Sequence, residues 1–209
     1  MQPREVFISV RHNFRKSQTK NFVFSDEKLF AVDGVYNRQN ERVWAADRRE
    51  ADQYGAVLQV SKFPGKIMAW LGVCTKGVSR VVFLEKGSVT QEQYATEVLP
   101  VAPRFGIKHF GNDWTFQQDG ATAHTAKRTQ KWCEDNLPRF IRKERWPPNS
   151  PDLNPLGYSV WNEIVQGIKW NKVTSKVTLK HQIQLTVKEI RAKVLLDSCT
   201  KFYTRVRRL

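Results

Sequence analysis

Acidic residues are scarce in this chain, cysteines are few, and long apolar runs are missing. Twenty Asp and Glu stand against thirty-five Lys and Arg in 209 residues, for a formal net charge of +15. An isoelectric point near 10.0 works against acidic partners and favours a polyanion, with nucleic acid ahead of an anionic membrane surface. A merely basic soluble protein is the plain alternative. The three cysteines, Cys74, Cys133 and Cys199, lie far apart. They make no CxxC pair and no Cys/His zinc spacing, which argues against a disulfide framework or a zinc module and fits a reduced intracellular protein. No stretch reaches about 18 apolar residues and the N-terminus has no apolar signal core, so a membrane is not expected as a partner.

What is present points to a folded protein. Hydrophobic residues make up 40% and aromatics 11% of the chain, enough to bury a real core. We read residues 1–20 as a basic lead-in or linker, 21–196 as one α/β domain, and 197–209 as a basic C-terminal tail with a frayed end. Short basic clusters, Lys127-Arg128 and Arg205-Val-Arg207-Arg208, suit a nuclear protein but are too short to count as a signal.

Along the chain, Asn21 to Phe30 is the first strand, with Phe22, Phe24 and Asp26 sharing a face. Between Asp33 and Ala51 the sequence turns polar, as in an irregular excursion. Lys66 to Cys74 reads as a strand buried on both faces, and Ser79 to Leu84 as its hairpin partner across the Thr75-Lys-Gly77 turn. A helix follows from Gln91, limited by Pro100 and Pro103. Thr115 to Gln118 is a strand that delivers Asp119 into a glycine turn, and a helix follows it with Ala126, Thr129, Cys133 and Leu137 on one face. Arg139 to Arg142 is a short strand candidate. After the proline-stiffened loop from Trp146 to Pro155, Asn154 is placed to cap a helix that starts at Pro155. Leu179, Ile183, Val187, Ile190 and Val194 define a last helix.

Asp26 and Asp119 each stand at a strand end. If their strands are neighbours with both ends at one edge, the two carboxylates can hold a hard divalent cation, Mg²⁺ or Mn²⁺, through oxygen. In a basic protein such a cation would act on a phosphodiester. Equally, each is a turn acid that never meets the other. For His124, a structural hydrogen bond outweighs a place near metal or phosphate. Trp146 and Trp161 read as core anchors before base-stacking platforms. Lys127, Arg128 and Lys131 face either DNA or plain solvent.

Three ordered motifs then carry a family resemblance. Ser25-Asp26-Glu27-Lys28, Gln117-Gln-Asp119-Gly-Ala-Thr-Ala-His124-Thr-Ala126 and Trp146-Pro-Pro-Asn-Ser-Pro-Asp-Leu-Asn-Pro155 together resemble the catalytic domain of Tc/mariner-type DNA transposases. The resemblance covers roughly Asn21 to Trp170. It implies an α/β, ribonuclease H-like fold, a mixed sheet of about five strands with helices on its faces. It also implies metal-dependent DNA strand cleavage and transfer, with Asp26 and Asp119 as the first and second catalytic, metal-holding acids. Paired subunits, a homodimer, and a nuclear location are implied with it. The third acid would stand two residues after the proline that closes the Trp146 motif. That position is Gly157, with thirty-seven residues between it and Asp119, the interval of the mariner-like branch. Asp152 matches a loop residue and not the catalytic acid. Glu163 lies six helical residues on, turned by about 240° and raised by roughly 9 Å. The resemblance therefore implies a DNA-binding, DNA-processing domain with impaired chemistry, or a non-enzymatic remnant that binds nucleic acid or protein. The paired helix-turn-helix readers of such transposases have no counterpart in residues 1–20, so only phosphate contacts of low sequence specificity carry over.

Overall fold

The computed structural model describes residues 19–34, 46–53, 64–84, 89–147 and 150–208. Residues 1–18 of the basic lead-in and 35–45 of the polar excursion lie outside these. The described part of the excursion holds a short helix, α1 (Arg48–Gln53).

Five strands form one mixed sheet: β1 (Phe22–Ala31), β2 (Lys66–Cys74), β3 (Gly77–Val78), β4 (Val82–Leu84) and β5 (Thr115–Gln117). Their order is β3-β2-β1-β5, with β4 also paired to β2. β1 runs antiparallel to β2, while β1 and β5 are parallel with Phe24 opposite Gln117. The hairpin expected from Lys66 to Leu84 is there, but its return arm is split. At the break, Ser79 Oγ accepts the Gly72 amide at 2.9 Å, so a side chain satisfies a backbone donor where the ladder is interrupted. The short strand candidate at Arg139 to Arg142 reduces to one parallel bridge between Phe116 and Phe140.

Alternation along β1 divides the core into two layers. Phe22, Phe24 and Phe30 face one side, packed with Trp146, Trp161, Leu179 and Phe202. Val23 faces the other, with Trp70, Tyr94, Trp114, Phe116 and Cys133. The second layer is covered by α2 (Gln91–Gln93), which continues into a π-turn over Tyr94–Val98, and by α3 (Val101–Phe110). Pro103 does not stop α3, because it sits in the first turn, where the amide has no intrahelical acceptor to serve. α4 (Thr122–Thr125) and α5 (Lys127–Asn136) complete that face, parted by an extended Ala126.

The first layer carries the larger corrections. The helix after Asn154 opens as a π-turn, Leu156–Val160, and becomes α6 (Trp161–Gly167). The single last helix is two, α7 (Lys176–Glu189) and α8 (Ala192–Val206), separated at Ile190 and Arg191 by extended backbone. No Gly or Pro marks this break, so apolar spacing runs through it unbroken. The proposed tail is also revised: residue 197 falls inside α8. Cys199, Phe202 and Val206 are buried in the core. The Phe202 ring meets Phe24 edge-on at 4.9 Å and stacks on Trp146 at 6.4 Å. Basic residues dominate the end of α8 in composition, but its apolar stripe fixes it in place.

Candidate active site

Parallel pairing of β1 and β5 brings Asp26 and Asp119 into one cleft, but Asp26 is not at a strand end: it sits in the middle of β1, opposite Leu71 of β2 and just past the last residue paired to β5. Ser25 Oγ donates to the Gln117 carbonyl at 2.9 Å, locking the two strands just before their acids. Asn154 Nδ2 donates to the Ser25 carbonyl at 2.8 Å, and Asn154 Oδ1 accepts the Leu156 amide at 3.0 Å. One side chain thus caps the following helix and ties it to the acid-bearing strand. A cleft of about 450 Å³ results, lined by Asp26, Asp119, Trp146, Pro151, Asn154 and Gly157 among others. All three positions singled out in the sequence therefore face one cavity.

The two acids sit in different environments. Asp26 Oδ2 accepts the Trp161 indole N–H at 2.8 Å, so Trp161 is a core anchor with a polar duty. Burial pushes the Asp26 carboxyl up to about 7. The indole bond opposes this and the nearby Glu27 and Asp119 charges add to it. Asp119 is more open, its side chain 44% exposed. Burial raises its pKa, but the His124 bond and charge, with the Ala121 amide donating at 2.9 Å, outweigh burial and hold it below the ordinary carboxylate value.

His124 is the residue that the sequence left most open. Its ring is 4% exposed, with Nδ1 2.6 Å from Asp119 Oδ1 and Nε2 3.2 Å from Glu27 Oε1. Burial alone would lower its pKa; two carboxylate partners lift it to about 10. His124 is therefore an imidazolium at neutral pH, donating from both nitrogens. The Tyr94 ring lies 4.2 Å from it. The Tyr94 hydroxyl donates to Gln118 Oε1 at 2.8 Å, and Gln130 Nε2 donates to the His124 carbonyl at 2.9 Å. Glu27, Tyr94 and Gln118 belong to this network without any sequence signal for it. Alternation turns Glu27 to the face of β1 opposite Asp26, but nothing local in the sequence pairs it with His124. Gln117 is fully buried, with no side-chain hydrogen-bond partner among the described residues.

Other residues behave more plainly. Trp146 is 6% exposed and belongs to the core. Lys127 and Arg128 are exposed, and Lys131 pairs with Asp135 at 2.7 Å. Neither Asp152 nor Glu163 lines the cleft. Glu163 instead meets Arg191 at 3.1 Å.

Asp26 and Asp119 are the oxygen donors of the kind a hard cation takes. Two carboxylates face the cleft, and no group of three His, Cys, Asp or Glu arranged to hold an ion occurs among the described residues. The residues do not make a three-acid, two-metal centre.

A mixed five-stranded sheet with helices on both faces and two acids lining one cleft defines a ribonuclease H-like α/β domain. Comparison with known proteins narrows the class. The chain is 30% identical over 151 residues to the transposable element Tcb1 transposase of Caenorhabditis briggsae, covering 71% of this chain and 52% of that protein. It is 31% identical over 147 residues to the Tc3 transposase of Caenorhabditis elegans, covering 69% and 41% respectively. The chain is a homologue of the Tc/mariner transposases. It spans about half the length of these relatives. Its fold is that of the Mos1 mariner transposase catalytic domain, with a TM-score of 0.68 at 15% identity over 99% of this chain and 89% of that one. A Mos1 paired-end complex with the left transposon end gives a TM-score of 0.75 at 16% identity, over 98% of this chain and 59% of that one. No protein-family model matches.

Proposed function

We propose that this domain binds DNA through its phosphates, holds at most one divalent cation on Asp26 and Asp119, and has lost most of the strand-cleaving capacity of its lineage. One observation carries the reading: Gly157 lines the same cleft as Asp26 and Asp119 and offers no ligand there. When bound, Mg²⁺ or Mn²⁺ supplies water activation and charge stabilisation for phosphodiester cleavage. Mos1 structures with Mn and with Mg support that choice of ion.

The chain's own residues prepare the site. Trp161 occupies Asp26 Oδ2, leaving Oδ1 for a cation. His124 and the Ala121 amide both engage Asp119 Oδ1, leaving Oδ2. Without a third carboxylate a second cation is poorly held, and misplacement at the reacting centre costs orders of magnitude in rate. DNA as partner is supported by the net charge of +15 and by the Mos1 complex with a transposon end. A paired, nuclear form of the chain belongs to the same proposal.

Affinity for a mixed-sequence duplex tests the DNA half. It is expected to fall about 100-fold between about 50 and 200 mM salt, the dependence of some four phosphate contacts. Binding that ignores salt, or none at low salt, contradicts it.

A further inference from the structure

Gly157 is not required by its own backbone. Positive φ among the described glycines occurs at Gly34 and Gly111, not here, and Gly157 lies in the π-turn Leu156–Val160 that leads into α6. Helix propensity alone favours alanine over glycine inside a helix. Space argues the other way: a Cβ added at Gly157 would lie 2.9 Å from the Pro151 carbonyl oxygen. That is closer than carbon and oxygen tolerate, and the obstructing atom is backbone, which cannot rotate aside as a flexible side chain can.

The obstructing turn is fastened on three sides. Leu153 is fully buried. Asn154 holds the Ser25 carbonyl of β1 at 2.8 Å. From α8, Arg205 Nη1 donates to the Asp152 carbonyl at 3.0 Å while its guanidinium lies 3.9 Å over the Tyr158 ring. Tyr158 is held in turn, its hydroxyl donating to the Ser198 carbonyl at 2.6 Å. α8 therefore grips both partners of the close contact, the turn through Asp152 and the helix through Tyr158.

We propose that the Pro151–Asn154 turn has closed into the space of the third side chain, and that Arg205 latches it there. Restoring an acid at position 157 then does not rebuild a three-acid site unless the latch is also released. The claim rests on the proposed function only in treating residue 157 as the third-acid position; the contact and the latch do not depend on it.

Thermal unfolding of Gly157→Ala, Arg205→Ala and the double variant tests the latch without metal or DNA. Gly157→Ala is expected to lower the melting temperature by about 3–8 °C. The same substitution should cost less than half as much in the Arg205→Ala background, where the turn can give way. A Gly157→Ala melting temperature equal to or above the original, as helix propensity alone predicts, overturns the proposal. So does equal cost in both backgrounds. Mn²⁺ titration followed by the signal of free Mn²⁺ supplies the second arm. Gly157→Asp is expected to bind within about twofold of the original chain, and Gly157→Asp with Arg205→Ala roughly tenfold more tightly, as a third ligand comes into place. Tenfold tighter binding by Gly157→Asp alone, with no loss of melting temperature, also overturns it. If neither acid variant gains Mn²⁺ affinity while the melting results hold, the latch stands and the proposed cation site falls.

Discussion

A chain ending at residue 196 is expected not to fold, and Phe202→Ala to lower the melting temperature by about 10 °C. Helix α8 contributes Cys199, Phe202 and Val206 to the core. The Phe202 ring contacts Phe22 at 5.8 Å, Phe24 at 4.9 Å and Trp146 at 6.4 Å. Removing a fully buried phenylalanine side chain costs about 3–5 kcal/mol, a large part of the roughly 5–15 kcal/mol that holds a domain together. Truncation goes further, since it uncovers the aromatic face of β1 and removes Arg205. Circular dichroism of the truncated chain and a melting curve of Phe202→Ala check both. A cooperative transition in the truncated chain near that of the original would show that α8 is the dispensable tail its composition suggests.

His124→Leu is expected to be nearly as damaging, for an electrostatic reason. His124 is cationic, 4% exposed, and serves Asp119 and Glu27 together, and the Glu27 side chain is itself only 12% exposed. Leucine leaves two carboxylates facing each other with no counter-charge. Breaking a buried ion pair by removing one partner costs about 3–5 kcal/mol, reduced here because Asp119 can reach water. Urea unfolding of His124→Leu and of the double variant His124→Leu, Glu27→Gln separates charge from packing. If charge dominates, Glu27→Gln should return about half of the loss. A double variant no more stable than His124→Leu alone would mean that the ring matters by filling space beneath Tyr94.

The sheet and the two acids were legible because they rest on short-range patterns. Alternation in Phe22-Val-Phe-Ser-Asp26 set the two faces of β1, and strand-then-turn chemistry placed Asp119 at a strand end. The parallel pairing that brings the two acids together is long-range, and only the motif resemblance suggested it. What failed to show has physical reasons too. The α7–α8 break at Ile190 and Arg191 has no breaker residue; beyond it α8 packs against β2 and sets Phe202 on the β1 rings Phe22 and Phe24. The end of α8 reads as a tail because Arg205, Arg207 and Arg208 outweigh Phe202 and Val206 in composition, whereas burial follows the stripe. Glu27 carries no local signal because its partner, His124, lies ninety-seven residues away. The close approach of Pro151 to Gly157 is a matter of tenths of an ångström, beyond what spacing along a chain expresses.

Nicking of supercoiled plasmid with Mn²⁺ or Mg²⁺ decides whether this cleft keeps two of its acids but not the chemistry. The original chain and Asp119→Ala are compared at equal concentration. Nicking by the original chain is expected to stay within about tenfold of the Asp119→Ala background. Robust nicking by the original chain that Asp119→Ala abolishes would contradict it, and would mean that a ligand other than a side chain at position 157 completes the site.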